Sequence, residues 1–153
     1  AISRFLKQLI PVPPYPDPPR PVSPICVVGD LHGCDVLLER MLAKLAALPD
    51  AANMRVIFAG DMVDRGSGSA AVLGRLQELT ETTGPFFETI CLMGNHERMM
   101  LDFIDDPVRN GARWLSNGGD KTLESFGLSS DRPIRPSCRH RRATAGRGPR
   151  GRG

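Results

Sequence analysis

The stretch Ile25–Gly33 reads I-C-V-V-G-D-L-H-G, and its pattern recurs twice further along the chain. Four apolar residues stop at a glycine, and polar residues with metal-binding side chains follow directly. The same pattern appears in Val56–Gly66, V-I-F-A-G-D-M-V-D-R-G, and in Ile90–Glu97, I-C-L-M-G-N-H-E. Short β-branched runs ended by glycine are typical of strands that are buried on both faces of a parallel sheet. The three runs therefore predict three strands of this kind.

Apolar residues recur at helical spacing after each predicted strand. The segments Leu37–Leu48, Ala70–Leu79 and Met99–Ile104 place apolar side chains three and four residues apart. The order is β-α-β-α-β-α, and right-handed crossovers place such strands parallel in one sheet. A last amphipathic segment, Trp114–Phe126, is interrupted by two glycines. We therefore predict an α/β fold with three parallel strands and crossover helices.

The composition excludes several classes of protein. With 153 residues, 41% of them hydrophobic and 24% charged, the chain is long enough for one domain. No apolar run approaches the roughly 20 residues that span a bilayer, so we expect no transmembrane segment. Four cysteines without a C-x-x-C pair favour a reducing compartment over a secreted disulfide scaffold. We therefore expect a cytoplasmic protein without a signal peptide or a membrane partner.

The net charge of +3 conceals a division along the chain. The first 128 residues carry 12 Lys and Arg against 16 Asp and Glu, whereas the last 25 carry 8 Arg against one Asp. Eight of the fourteen residues 11–24 are proline, which favours an extended conformation. We divide the chain into a Pro-rich leader (1–24), an α/β domain (25–128) and an Arg/Gly-rich tail (129–153) that is predicted to be disordered. The leader is read as a spacer, with a ligand for a proline-binding domain as the alternative.

Metal-binding side chains follow each predicted strand. Loops at the carboxyl ends of parallel strands meet at one edge of the sheet, where α/β proteins bind their ligands. Asp30, His32, Asp61 and Asn95 offer carboxylate, imidazole and amide oxygen donors. This mixed set suits two divalent metals such as Mn²⁺, Fe or Zn²⁺. Asp61 follows the middle predicted strand in sequence, and its carboxylate can bridge two ions about 3.5–4 Å apart.

The three loops resemble the signature of the calcineurin-like metallophosphoesterases, specifically the phosphoprotein phosphatase family of bacterial and phage serine/threonine phosphatases. The segments Leu92–Met100, L-M-G-N-H-E-R-M-M, and Trp114–Asp120, W-L-S-N-G-G-D, resemble the bacterial branch most. The resemblance covers roughly Ile25–Gly127. It implies the N-terminal half of an α/β/β/α sandwich whose active centre holds two divalent ions, with Mn²⁺ first among the candidates.

The resemblance also implies roles for the loop residues. Asp30 and His32 match ligands of the first metal, Asp61 the bridging ligand, and Asn95 a ligand of the second metal.

Three further residues match the catalytic groups of the family. His96 matches the histidine that protonates the leaving alkoxide, and Asp64 the carboxylate that holds this histidine. Arg65 matches the guanidinium that binds two phosphate oxygens, a bidentate contact that lysine cannot make. Protonation by such a histidine typically contributes about 10²–10⁴-fold in rate. These assignments predict in-line attack of an activated water on a phosphomonoester.

Other residues near these loops receive simpler interpretations. Glu97 is expected to support its loop or the helix N-terminus rather than to react. Trp114, Met99 and Met100 are read as core residues. The segment Asn117–Gly119 either lines the site with backbone amides or interrupts a helix.

The chain departs from the family after residue 128. Two further histidine ligands, a second phosphate-binding arginine and the strands of a second sheet have no counterpart in its sequence. His140 lies among three arginines, where we do not expect a metal ligand. Metal should therefore be held weakly, and one apolar face of the sheet should lack its partner layer, which favours association. We attribute the tail to a frameshift or truncation in a GC-rich gene, with a genuine basic tail that binds nucleic acid or acidic partners as the alternative.

These observations predict metal-dependent hydrolysis of phosphomonoesters, with a phosphoprotein or a small phosphoester as substrate. Because the second half of the family pattern has no counterpart here, an inactive fragment is an alternative interpretation of this chain. The first alternative is a dinucleoside polyphosphate hydrolase, although D-R-G at Asp64–Gly66 and Glu97 look more like the protein phosphatase branch. The second alternative is a non-catalytic acidic domain with an Arg-rich binding arm. We do not expect a nucleic-acid partner.

Overall fold

The computed structural model describes residues 20–82 and 84–129. Most of the predicted leader and almost all of the predicted tail, including His140, lie outside these residues, so the division of the chain into three parts remains a prediction. The described part is an α/β structure built on three parallel strands, as the sequence predicts.

The sheet has the order β1-β2-β3, with β2 in the centre. Its strands are β1 (Ile25–Val28), β2 (Arg55–Phe58) and β3 (Glu88–Cys91). The register pairs Val28 with Phe58 and Phe58 with Cys91, so the three strands end level with one another. The loops that follow the strands therefore start from one edge of the sheet.

The third strand lies two residues earlier than its apolar run predicts. We expected the apolar residues 90–93 to form it, but Leu92 and Met93 follow the strand and are exposed by 50% and 61%. The amide of Leu92 donates to the carbonyl of Phe58, the last residue of β2. The strand begins at Glu88, because Arg55 at the start of β2 pairs with that residue in the ladder.

Five α-helices lie among the described residues. They are α1 (Asp35–Ala46), α2 (Ser69–Glu81), α3 (Asn95–Asp105), α4 (Pro107–Trp114) and α5 (Asp120–Ser125), with a 3₁₀ turn at Ala51–Asn53 and a π-turn at Leu115–Gly119. The three predicted helical segments correspond to α1, α2 and α3. The predicted interruption of the last segment by two glycines corresponds to the π-turn. None of the described helices has the length and apolarity needed to cross a bilayer.

The core lies on one face of the sheet. Val56 and Phe58 of β2 are fully buried in a cluster that includes Leu38 of α1 and Val72 of α2. In a sheet of order 1-2-3, right-handed crossovers place successive helices on the same face, and α1 does contact α2. This connectivity leaves the opposite face without a helical layer from α1 and α2.

The opposite face of the sheet is open at β1. Val27 exposes 65% of its surface and Ile25 exposes 42%. The prediction that the strands are buried on both faces is therefore wrong for β1, because no layer of the described chain covers these side chains. The observation agrees with the expectation that one apolar face lacks its partner layer. Association through this face remains a prediction.

Candidate metal centre

Backbone hydrogen bonds join the first two loops at the carboxyl edge of the sheet. The amides of Leu31 and His32 both donate to the carbonyl oxygen of Asp61 at 3.0 Å, and the amide of Gly33 donates to that of Met62 at 2.9 Å. The loops after β1 and β2 are thus fixed to each other independently of their side chains. This geometry brings the first and second groups of predicted ligands together.

The carboxylate of Glu97 joins the second and third loops. Its Oε2 accepts from the amides of Asp61 and Gly94, both at 2.8 Å. Its Oε1 accepts from the amides of Met62 at 2.7 Å and Val63 at 3.3 Å. A charged acceptor with several amide donors makes strong hydrogen bonds, and this one also lies in the first turn of α3, where the helix dipole favours negative charge. Glu97 was expected to support its own loop, and it also orders the loop after β2.

The backbone is strained where the predicted site residues lie. Among the described residues other than glycine, positive φ angles occur at His32 (42°), Asp61 (52°), Asp64 (73°) and Arg65 (68°). Such conformations cost about 1–3 kcal/mol each and persist where surrounding contacts enforce them. All four residues belong to the predicted metal and catalytic sets, and strain of this kind is concentrated at functional sites.

One nitrogen of His32 is available as a metal ligand. Its Nδ1 lies 2.8 Å from the carbonyl oxygen of Val63 and therefore carries the proton, which leaves a lone pair on Nε2. That Nε2 is buried and has no hydrogen-bond partner within the described part of the chain. A buried polar atom without a partner is costly, and a metal ion is one means of satisfying it. A carbonyl that fixes the tautomer of a histidine is also the usual support behind a metal-binding imidazole.

The structure gathers three ligand atoms around this nitrogen. His32, Asp61 and His96 each offer an atom, and all these atoms lie within 4.8 Å of one another. The rings of His32 and His96 meet edge to face, with centroids 4.7 Å apart. The donor set therefore fits a divalent metal ion that takes nitrogen and oxygen ligands.

The other two predicted ligands lie at the rim. A carboxylate oxygen of Asp30 is 3.6 Å from His32 Nε2, and the Asp30 side chain is 66% exposed. Asn95 is exposed and begins α3, directly before His96. His32 and Asp61 are thus brought together inside the site, with Asp30 and Asn95 on its exposed side.

The predicted catalytic groups form a contact pair beside the ligands. His96 Nδ1 donates to Asp64 Oδ2 at 2.7 Å, and both side chains are buried. The backbone amide of His96 donates to Asp61 Oδ1 at 3.0 Å. Nη2 of Arg65 lies 3.3 Å from His96 Nε2. The structure therefore brings His96, Asp64 and Arg65 together as one group that contacts Asp61.

The π-turn contacts this group through Gly118. The amide of Arg65 donates to the Gly118 carbonyl oxygen at 3.1 Å. Gly118 has a φ of 97°, and a Cβ at this position would lie 2.6 Å from the Arg65 amide nitrogen. Of the two interpretations of Asn117–Gly119, the helix interruption is confirmed. The contact with Arg65 is made by the Gly118 carbonyl, and the lining of the site by backbone amides stays a prediction.

Sequence reasoning missed two residues that bind Asp64. Trp114 Nε1 lies 3.0 Å from both carboxylate oxygens, and Thr122 Oγ1 donates to Oδ1 at 2.7 Å. Trp114 is buried, as expected of a core residue, but its polar edge has a specific partner. A signal was present in the sequence, because a buried tryptophan normally needs an acceptor for its N–H.

Comparison with known proteins finds relatives that share part of this sequence. Over 95 residues the chain is 40% identical to serine/threonine-protein phosphatase 2 of Salmonella typhimurium, covering 62% of this chain and 38% of the relative. It is 38% identical over 96 residues to serine/threonine-protein phosphatase 2 of Escherichia coli, covering 63% of this chain and 38% of that protein. It is also 40% identical over 74 residues to the symmetrical bis(5'-nucleosyl)-tetraphosphatase of Acidovorax ebreus, covering 48% of this chain and 24% of the relative.

These matches span well under half of each relative's length. The sequence profile of the calcineurin-like phosphoesterases matches residues 23–142, which include all three loops and the π-turn. Because this match extends over most of the 153 residues and contains every predicted metal and catalytic residue, the chain belongs to the calcineurin-like phosphoesterase family.

Proposed function

We propose that this chain carries the first half of a dinuclear metal centre that hydrolyses phosphomonoesters, of the serine/threonine protein phosphatase type. The observation that carries the proposal is the buried, unpartnered Nε2 of His32, within 4.8 Å of ligand atoms of Asp61 and His96. Phosphatase-named relatives over the same loops support it. A phosphoprotein or a small phosphoester is the proposed substrate, and the cytoplasm the proposed location.

The residues that would hold metal are the four predicted ligands. Asp30 and His32 would bind one ion, Asn95 the second, and Asp61 both, because a carboxylate has two oxygens that can bridge a pair. Mn²⁺ is proposed first, with Fe and Zn²⁺ as the other candidates that suit this donor set. When bound, such ions supply Lewis acidity and lower the pKa of a water molecule towards neutrality, which provides a nucleophile.

The protein's own groups would bind the phosphate and deliver a proton. Arg65 is exposed and presents its guanidinium at the site, where it can bind two phosphate oxygens at once. His96 holds its Nδ1 proton on Asp64, so Nε2 is the atom that faces the site and can protonate the leaving alkoxide. The Asp64 carboxylate accepts the Nδ1 proton and so fixes the orientation of the His96 ring.

A dinucleoside polyphosphate is the second candidate substrate. The similarity to the Acidovorax ebreus tetraphosphatase favours it, because that match reaches the same 40% identity as the best phosphatase match given above. Both substrates would use the same metal centre. Parallel assays of p-nitrophenyl phosphate, a phosphoserine peptide and diadenosine tetraphosphate separate the two proposals.

The test of the proposed function is turnover of p-nitrophenyl phosphate by the full chain, with and without Mn²⁺. We expect Mn²⁺-dependent hydrolysis that the Asp61→Asn variant abolishes. Asp50→Asn is the matched control, because Asp50 is exposed at the opposite end of the sheet, just before the 3₁₀ turn. A folded chain with no turnover at any Mn²⁺ concentration contradicts catalysis and favours the alternative of a binding domain.

A further inference from the structure

The Asp64 carboxylate receives more hydrogen bonds than its contact with His96 requires. Asp64 is fully buried, and Oδ2 accepts from His96 Nδ1 at 2.7 Å. Thr122 Oγ1 donates to Oδ1 at 2.7 Å, and Trp114 Nε1 lies 3.0 Å from each oxygen. Both added donors are themselves buried and belong to a segment 50 or more residues further along the chain. This segment therefore fixes the carboxylate in addition to His96.

Thr122 binds Asp64 at two points. Besides its bond to the carboxylate, the Thr122 hydroxyl oxygen accepts from the Asp64 amide at 2.9 Å. The buried hydroxyl of Ser69 accepts from the same amide at 3.2 Å and lies 3.1 Å from the Thr122 hydroxyl. One threonine thus holds the backbone and the side chain of a residue whose φ is 73°. This arrangement fixes the direction in which the carboxylate points.

The Trp114 ring has little freedom to move. Phe103 packs against it with a centroid distance of 4.5 Å. On another side Gly119 lies so close that a Cβ there would be 2.5 Å from the ring carbons. The indole N–H is therefore held in one position, equidistant from both Asp64 oxygens.

We propose that Trp114 and Thr122 are positioning residues of the acid–base pair, which hold the Asp64 carboxylate against His96 Nδ1 and thereby aim His96 Nε2 at the leaving group. This proposal rests on the proposed function, in which His96 is the acid. Neither residue touches the reacting atoms. Their effect passes through two hydrogen bonds to a charged, buried acceptor, a class that is stronger than bonds between neutral groups.

The first test measures the indole N–H signal of Trp114 in the wild-type chain. Trp114 is the only tryptophan of the chain, so a ¹H–¹⁵N spectrum of the full chain contains one indole N–H signal. We expect that signal to lie downfield of free indole, to exchange slowly with solvent, and to move upfield in Asp64→Asn. An indole proton that resonates and exchanges as in an exposed tryptophan overturns the proposal.

The second test measures the Nδ1–H signal of His96, which reports on its hydrogen bond to Asp64. Thr122→Val removes the hydroxyl and keeps the shape, whereas Thr122→Ser keeps the hydroxyl. We expect the Nδ1–H signal of His96 to be lost or broadened in Thr122→Val and retained in Thr122→Ser. The Nδ1–H signal of His32, which is held by Val63, should persist in both. Thr80→Val on the exposed side of α2 is the control for the substitution itself.

An unchanged His96 signal in folded Thr122→Val overturns the positioning role of Thr122. If Thr122→Val does not fold, Trp114→Phe provides a second comparison, because it keeps an aromatic side chain at this position, although a smaller one, and removes the indole N–H. An unchanged His96 signal in that variant overturns the proposal for Trp114.

Turnover gives an independent readout. We expect Thr122→Val to lower kcat for phenyl phosphate about ten-fold and for p-nitrophenyl phosphate less than about three-fold, with KM unchanged for both. The more basic phenolate needs the proton more, so a role through His96 predicts unequal losses. Equal losses for the two substrates contradict the proposal. If the wild-type chain shows no turnover, the proposed function fails, whereas the two spectroscopic tests still decide the positioning role.

Discussion

At the scale of single residues, the candidate centre depends on groups that stabilise a strained backbone. Asp61 has a positive φ, and its amide, like those of the next two residues, donates to the Glu97 carboxylate. His32 is likewise strained, and the Asp61 carbonyl accepts from its amide. These hydrogen bonds hold the predicted ligand residues in place. Residues that do not contact metal or substrate should therefore still affect the binding of both.

Glu97→Gln tests this dependence. Its amide group would point a donor at backbone N–H groups that now share a carboxylate, so we expect a loss of about 1–3 kcal/mol in the free energy of unfolding. Supporting residues of metal sites typically change metal affinity about 10–100-fold, and we expect a loss of Mn²⁺ affinity in that range. Urea unfolding and calorimetric titration measure the two effects. Glu81→Gln, at the exposed end of α2, should change neither.

The same reasoning applies to Gly118. Gly118→Ala places a Cβ 2.6 Å from the Arg65 amide nitrogen at a φ of 97°. We expect a loss of about 1–3 kcal/mol in stability and weaker inhibition by inorganic phosphate, because the Arg65 backbone must shift. Gly74→Ala is the matched control, since Gly74 lies inside α2 with open space around it, and should stabilise by about 0.5–1 kcal/mol. Equal effects of the two substitutions would refute the proposed contact.

At the scale of secondary structure, the sheet stabilises the chain through one face. The β2 side chains Val56 and Phe58 are fully buried, whereas Val27 on β1 is 65% exposed on the opposite face. The carboxyl ends of the strands, from which all three loops start, are therefore fixed by packing against α1 and α2. The site lies at this carboxyl edge of the sheet, next to the packed face.

Truncating a side chain on one face of the sheet should change the free energy of unfolding much more than truncating one on the other face. We expect Phe58→Ala to lower the free energy of unfolding by about 3–5 kcal/mol, because it leaves a cavity between the sheet and the helices. Val27→Ala should change it by less than about 0.5 kcal/mol, as at other exposed positions. Urea unfolding followed by circular dichroism measures both. A large loss in Val27→Ala would mean that another layer covers this face.

At the scale of the whole molecule, the three parallel strands and the meeting of their loops could be predicted, because each strand belongs to a short apolar run that is followed by a glycine. The bounds of β3 could not, since Leu92 and Met93 are apolar yet lie beyond the strand. The bonds from Trp114 and Thr122 to Asp64 join residues 50 and 58 positions apart, which local patterns do not indicate. Burial on both faces was predicted from residue type alone, and the connectivity of α1 and α2 covers only one face.

The matched relatives are more than twice as long as the stretch that they share with this chain. The metal centre proposed for this chain therefore depends on the ligands among the described residues. The affinity of the chain for metal is the property that tests this proposal.

Mn²⁺ binding to the full chain, followed by electron paramagnetic resonance and calorimetric titration, tests this centre most directly. We expect saturable binding, with affinity at least about ten-fold weaker in Asp61→Asn and in His32→Ala, which removes the unpartnered Nε2. Asp50→Asn should bind as the wild type does. The absence of saturable binding by the folded chain, or equal affinity in all four proteins, would contradict a metal centre built on His32 and Asp61.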